Sequence, residues 1–296
     1  MHESDGFLIV DKPRGVASFS MVSLVRRLSG IRRVGHAGTL DPLASGVLPV
    51  AVGRATRLIE YLDDASKTYL ATVRLGVVTD TADAEGQVVA QGDPSGVTVD
   101  AVRALLPAFS GDIEQVPPRF SAIKVAGKPL YRYAREGADV IVAPRRVRVE
   151  RIELTRFEGD SFDLEVECGK GTYIRSLAHD IGARLGCGAH LAALVRTASG
   201  GFTLVEAHSP EALELAAGAG VLHDLMLAPD RAVERRPAAI LDIGHAAEVT
   251  AGRDISFQAS RRVPICRAYS TDGDFLGVLQ PTLEGAWHPV KVLIRP

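Results

Sequence analysis

The segment Gly35-His36-Ala37-Gly38-Thr39-Leu40-Asp41-Pro42 holds the residues best suited to chemistry. One histidine and one aspartate stand among two glycines and a proline, with little apolar material between them. Glycine reaches backbone conformations that other residues resist, and proline fixes φ, so the composition predicts a shaped loop. A loop that presents a carboxylate close to a basic ring is a candidate reactive centre. The same residues also suit an ordinary turn, with Gly38 and Pro42 as punctuation and Asp41 bonded to local backbone. A second glycine-rich stretch, Gly169-Lys170-Gly171, precedes an expected helix. It lacks the third glycine of a dinucleotide loop and no repeated βαβ pattern accompanies it, so no nucleotide cofactor is expected.

Elements able to position these residues follow from local patterning. Phe7-Leu8-Ile9-Val10 predicts a short strand ending at Asp11-Lys12-Pro13. Ser18 can cap a helix running to Leu28, with Met21, Leu24, Val25 and Leu28 on one face and Gly30 beyond its end. Residues 47–52 read as a buried strand and 55–62 as a short helix. Residues 68–75 alternate with a period of two, which predicts a half-buried strand with Tyr69 near its start. A polar turn at 79–86, a strand at 87–90 and a helix over 99–109, capped by Thr98 or Asp100, come next. Residues 120–125 are expected to form a strand. Paired strands are expected at 147–157 and 161–168, and helices at 172–185 and 211–220. Residues 231–237 read as a linker. Beyond it, short apolar runs at 255–257, 263–268, 275–279 and 290–294 predict a small β-rich module.

Whole-chain properties narrow the class. The 296 residues are 46% hydrophobic and 24% charged, which fits a folded domain or two with a sizeable core. No apolar run approaches the roughly 20 residues needed to span a bilayer, so no membrane association is expected. Met1-His2-Glu3-Ser4-Asp5 lacks the basic start and apolar middle of a secretory signal, giving a cytoplasmic expectation. Cys168, Cys187 and Cys266 are too few and scattered for a disulfide framework, and no metal-ligand spacing is present. They are expected as small buried thiols, and no metal is expected.

A net charge of −2 argues by itself against a nucleic-acid partner, but the distribution is uneven. Arg26, Arg27, Arg32 and Arg33 crowd the approach to Asp41. Arg132, Arg135, Arg145, Arg146, Arg148 and Arg151 form a second basic region, tempered by Glu136, Asp139 and Glu150. Such patches can hold a phosphate backbone although the totals cancel.

Several blocks, in order, resemble one family. Gly-His-Ala-Gly-Thr-Leu-Asp-Pro at 35–42, followed by Leu-Ala-Ser-Gly-Val-Leu-Pro at 43–49, is similar to the signature of the bacterial tRNA pseudouridine-55 synthases, the TruB family. So are Asp11–Gly15, Lys67-Thr68-Tyr69, Pro117–Val125, Gly171–Ala178 and the Arg196–Gly200 stretch. The resemblance covers about the first two hundred residues, and it implies a helix at 128–136 with Pro129 in its first turn. It implies an α+β protein: a pseudouridine-synthase catalytic fold on a mixed, largely antiparallel sheet flanked by helices, plus a small β-rich PUA-like C-terminal domain. The implied boundaries are 1–232 for the catalytic domain, with an RNA-gripping insert at about 117–150, and 237–296 for the PUA-like domain.

The resemblance also implies the reaction: isomerisation of uridine 55 in the tRNA T-loop, by base flipping, without a cofactor. Asp41 is then the essential carboxylate, which could attack C1′, add to C6 or stabilise a glycal-like intermediate. Arg175 matches the arginine that pairs with it through a forked contact. Tyr69 matches the tyrosine that stacks on the target base and could serve in proton transfer. His36 matches the residue that fills the space left by the flipped base, Tyr173 and Leu194 match the uracil pocket, and Lys12, with Pro13, matches its floor. The T-arm stem-loop is the implied partner of a monomer that needs no obligate protein partner. Three other readings use the same residues: an RNA clamp in which Asp41 is incidental, a nucleoside or glycoside hydrolase, and a guide-RNA-dependent pseudouridine synthase.

Overall fold

The computed structural model describes residues 5–63, 65–121, 123–138, 140–257 and 263–294. Met1–Ser4 of the polar N-terminus, Ala122 of the 117–125 block, the Arg135 side chain and Asp139 of the second basic region lie outside the description. The chain opens with β1 (Gly6–Lys12), α1 (Ser18–Ser29), β2 (Val34–His36), β3 (Ala44–Val52), a 3-10 turn at Gly53–Leu58 and α2 (Ile59–Asp63). Then come β4 (Lys67–Leu75), the hairpin β5 (Val77–Thr79) and β6 (Val88–Gln91), α3 (Val99–Leu105) and β7 (Gly111–Gln115). A small hairpin of β8 (Lys124–Val125) and β9 (Lys128–Pro129) leads into α4 (Leu130–Arg135). The body is completed by β10 (Arg145–Glu158), β11 (Ser161–Cys168), α5 (Ile174–Arg184), β12 (Ala189–Ser199), β13 (Phe202–Thr203) and α6 (Pro210–Gly218). The remainder holds β14 (Ala238–Leu241), α7 (Ile243–Thr250), β15 (Cys266–Ser270), β16 (Phe275–Pro281) and β17 (Trp287–Val292).

The long sheet has nine strands, with the path β1-β3-β12-β4-β11-β10-β7 and β2 and β13 beside it. Its pairings are antiparallel except β12 on β3, so it is mixed and largely antiparallel, as the resemblance implies. The physical reason is visible in each strand. On β4, Tyr69, Ala71, Val73 and Leu75 are buried while Leu70 and Arg74 are exposed; on β11, Phe162, Leu164, Val166 and Cys168 alternate in the same way. Strand β3 is buried along nearly its whole length, as expected of a strand covered on both faces.

At the parallel step, Gly46 has φ +100°, and a Cβ there would sit 2.3 Å from the Arg196 carbonyl oxygen. Gly46→Ala is therefore expected to lower stability by roughly 1–3 kcal/mol. The check is a lower urea midpoint at an unchanged slope; an unmoved midpoint would mean that the two strands are less closely apposed.

Several local expectations are corrected. Ser18 lies inside α1, whose N-cap is Ala17; its hydroxyl accepts from Leu40 N–H at 2.8 Å and donates to Leu40 O at 2.9 Å, so it ties the helix to the Asp41 loop. Pro129 precedes its helix as the N-cap, because Lys128 and Pro129 are held in the small hairpin. Among the described residues of the expected strand at 120–125, only 124–125 are extended and paired. The stretch 231–237 begins within a 3-10 turn (Pro229–Val233) whose Val233 is buried, and Arg231 pairs with Glu206 at 2.6 Å, so its first residues are packed.

The C-terminal four-stranded sheet, ordered β14-β15-β16-β17, shares a hydrophobic cluster with the main body. Phe7, Ile9, Val47, Leu58, Leu62 and Phe202 pack in it with Val233, Phe275, Val278 and Leu293. Arg54 and Arg57 donate to the Leu293 and Val292 carbonyls, each at 2.6 Å, where the last strand ends. All three cysteines are buried and free, and burial pushes the Cys168 and Cys266 thiols up to about 11. Among the described residues no helix is long and apolar enough to cross a membrane.

Candidate active site

The Asp41 loop leaves β2, turns at Gly38 with φ +67°, and re-enters the sheet at β3. Three contacts fix it from below. Ser18 brackets Leu40, as described, and Gly15 N–H donates to Pro42 O at 2.7 Å. Arg196, fully buried on β12, donates from Nε to Val47 O at 2.7 Å and from Nη2 to Gly38 O at 2.9 Å. A buried guanidinium is tolerated only where oxygens receive its protons, and here those oxygens belong to the loop and to β3. Lys12, also fully buried, donates to Pro13 O and Val16 O at 2.9 and 2.7 Å. Burial pulls its ammonium below the usual lysine range, against the attraction of Asp41 and Glu85.

Above this support lies a cleft of about 650 Å³. Its walls include Asp41, Tyr69, Asp83, Tyr173, Arg175 and Leu194. Of the candidates named from sequence, Asp41, Tyr69, Arg175, Tyr173 and Leu194 thus meet in one place. His36 stands on β2 opposite Val50 and Lys12 lies in the support, neither forming the cleft wall.

Arg175 Nη2 lies 2.9 Å from Asp41 Oδ2, and Nη1 lies 3.5 Å from Asp83 Oδ2. The expected fork onto Asp41 is therefore divided between two carboxylates. The same two nitrogens also donate to backbone, Nη2 to Phe120 O at 3.0 Å and Nη1 to Thr81 O at 3.2 Å. Exposure separates the partners: the side chains of Arg175 and Asp83 are 5% and 6% exposed, that of Asp41 42%. Asp41 is presented to solvent from a buried cationic anchor, while Asp83 balances that anchor from behind. Asp83 is itself held by Thr81 Oγ1 at 2.6 Å and Glu85 N–H at 3.0 Å.

Tyr173 is set by a backbone clamp: its N–H donates to Gln115 Oε1 at 2.7 Å, and Gln115 Nε2 donates to its carbonyl at 2.9 Å. Tyr69 is 7% exposed. Burial pushes its hydroxyl above the ordinary tyrosine range, although the Arg196 charge and a hydrogen bond from that residue pull the other way. Tyr69 is then neutral throughout the physiological range, and its phenolate form is expected only above the range in which an ordinary tyrosine titrates. An ultraviolet difference titration of wild type against Tyr69→Phe checks this, and a phenolate signal below pH 9 would overturn it.

Asp83, Arg196, Gln115 and Ser18 are site residues that the motif reading did not assign. Among the described residues no group of three or more His, Cys, Asp and Glu is placed to hold a metal ion. What the arrangement can do is present one carboxylate, oriented by a guanidinium, beside an aromatic ring in a cleft large enough for a nucleotide.

Comparison with known proteins gives this geometry its context. Residues 26–174 match the TruB family pseudouridylate synthase (N terminal domain), and 175–234 match the tRNA pseudouridylate synthase B C-terminal domain. A tRNA pseudouridine synthase B from Dehalococcoides mccartyi (strain ATCC BAA-2266 / KCTC 15142 / 195) is 42% identical over 292 residues, covering 99% of this chain and 97% of its own. One from Thiobacillus denitrificans (strain ATCC 25259 / T1) is 44% identical over 276 residues, covering 93% and 92%. Among solved structures, a chain of a Cbf5-Nop10-Gar1 complex superposes with TM-score 0.77 at 27% identity, covering 100% of this chain and 87% of that one. A chain of an H/ACA RNP bound to a substrate RNA containing 2′-deoxyuridine superposes with TM-score 0.75 at 26% identity, covering 98% and 85%.

Proposed function

Because the chain belongs to the TruB family of pseudouridylate synthases, and is an isomerase of uridine in tRNA, we propose that its target is uridine 55 of the T-loop. The uridine is flipped from its stack into the cleft, where Asp41 is the essential carboxylate. The observation that carries this reading is the Asp41–Arg175 contact, which keeps a reactive oxygen oriented and accessible at the bottom of an open cleft.

The chemistry follows from the substrate. The N1–C1′ bond breaks, the uracil turns, C5 joins C1′ and then gives up its proton, and N1 ends protonated, with no net change in mass or oxidation state. The carboxylate meets the electron-poor centre generated at that step, as carboxylates do in retaining glycosidases. Arg175 orients the Asp41 carboxylate through their 2.9 Å contact. Tyr69, neutral, stacks on the uracil that has lost its neighbours, and its hydroxyl stays within reach for a proton relay. Tyr173 and Leu194 close on the ring, Lys12 holds the floor, and His36 acts at the RNA face outside the cleft. Loop bases cost less to extract than paired ones, which favours a stem-loop substrate. The solved H/ACA RNP of similar fold, bound to a substrate RNA, supports RNA as the class of substrate.

In this reading residues 1–232 carry catalysis, the region at about 117–150 grips the T-arm, and 237–296 form a PUA-like RNA-binding unit. The protein works as a cytoplasmic monomer without an obligate protein partner or cofactor.

Incubation with an unmodified T-arm minihelix, without guide RNA or added protein, tests it. Pseudouridine is expected at position 55 alone, with RNA mass unchanged. Release of free uracil would identify a hydrolase, and product only on addition of a guide RNA would identify a guided enzyme; either result overturns the reading.

A further inference from the structure

Four basic side chains line the cleft: Lys67, Lys170, Arg175 and Arg196. The two arginines are buried and each is held by several oxygens. Arg175 serves Asp41, Asp83 and two carbonyls, and Arg196 serves Val47 O and Gly38 O from a fully buried position. Lys67 is half-buried, its ammonium donating to Ala65 O at 3.3 Å, and Lys170 is exposed, so both reach nearer to solvent than the arginines. They also come from neighbouring chain segments. Lys67 opens β4 directly opposite Cys168, the last residue of β11, and Lys170 follows in the turn leaving that strand end. The Lys67 Cε lies 3.1 Å from where a Cβ on Gly38 would be, so this side chain reaches over the Asp41 loop.

The acidic lining residues beside Asp41 come from a different element. Asp83 and Glu85 sit on the 80–87 turn between β5 and β6, bonded to one another through Glu85 N–H and Asp83 Oδ1. The cleft is therefore polarised by element, with lysines from the β4–β11 edge and carboxylates from the β5–β6 turn. A phosphodiester is repelled by the second and attracted by the first.

We propose that Lys67 and Lys170 form a phosphate subsite that receives the phosphodiesters flanking the target uridine. The subsite sets the direction in which the strand crosses the cleft, delivering the base toward Asp41. It rests on the reading of this cleft as the uridine site. Lysine suits the task because a compact, mobile ammonium can follow a backbone that moves as its nucleotide turns out.

The test measures KM and kcat on a T-arm minihelix, and on two minihelices carrying a single uncharged methylphosphonate, one 5′ and one 3′ of uridine 55. Lys67→Met and Lys170→Met are each expected to raise KM roughly tenfold on ordinary RNA, with kcat moving less than KM. Each penalty should shrink to within about twofold on the RNA whose contacted phosphate is neutral. The salt slope of binding, measured on Asp41→Asn protein, should fall in magnitude by about 0.7 for each lysine removed. Lys67→Arg and Lys170→Arg should recover most of the KM. Penalties that persist on both neutralised RNAs, or that appear in kcat alone, overturn the subsite. Failure of wild type to form pseudouridine at position 55 would instead overturn the reading beneath it.

Discussion

Asp41→Asn is expected to lower kcat by at least about 10⁴-fold while leaving the affinity for tRNA within a few-fold of wild type. The substitution keeps the size and one acceptor oxygen of the side chain but removes its charge and nucleophilicity. Folding should hardly change: Asp41 is 42% exposed, and Arg175 keeps Asp83, Thr81 O and Phe120 O as partners. The loss therefore falls on the chemical step. Single-turnover assays, with binding measured on the same preparation, separate the two. A variant that binds and still forms pseudouridine at a substantial rate would return Asp41 to the status of a turn residue and favour the RNA-clamp reading.

Arg175→Met has a different signature, because it should damage both stability and turnover. Its removal leaves Asp83, with a side chain 6% exposed, as a buried carboxylate without its cation. Breaking a buried pair from one side costs about 3–5 kcal/mol. The Thr81 and Phe120 carbonyls lose donors at the same time, and Asp41 loses its anchor. A fall in the urea midpoint together with a loss of kcat of at least about 10²-fold is expected. Arg175→Lys should recover part of the stability but little activity, since one ammonium cannot serve two carboxylates and two carbonyls in a plane. Adding Asp83→Leu to Arg175→Met should recover stability without activity, as the stranded charge is gone. A wild-type midpoint for Arg175→Met would contradict the buried pairing.

These effects hinge on residues that the sequence announces unequally. Asp41 and Arg175 lie inside multi-residue blocks whose resemblance to one family is specific, and β4 and β11 declare themselves by alternation because only one face of each is buried. Asp83 gave no such signal. In Thr79–Gly86 it is one of several acids in a polar turn, and only the tertiary fold brings Arg175 against it. Arg196 was legible as part of a block but not as a fully buried strap, since charge on a strand usually marks a solvent face. In the C-terminal part, α7 escaped because its apolar residues do not form a stripe: Ile243 is 83% exposed and only Val249 is buried. Its start is signalled instead by Asp242, whose side chain accepts from His245 N–H at 2.8 Å. Strand β14 escaped for a similar reason, with Ile240 facing outward and a parallel partner some thirty residues away.

The cluster that joins β1 to the last sheet has a consequence for biosynthesis. Phe7 and Ile9 leave the ribosome long before Phe275, Val278 and Leu293, with which they pack. The flanking edge of β1 also waits, because Phe7 exchanges backbone hydrogen bonds with Leu227, and Asp11 N–H and Ile9 O meet His208. Strand β1 of the nascent polypeptide thus stays sticky until β16 and the residues after β17 have emerged, and co-translational folding closes around it only then.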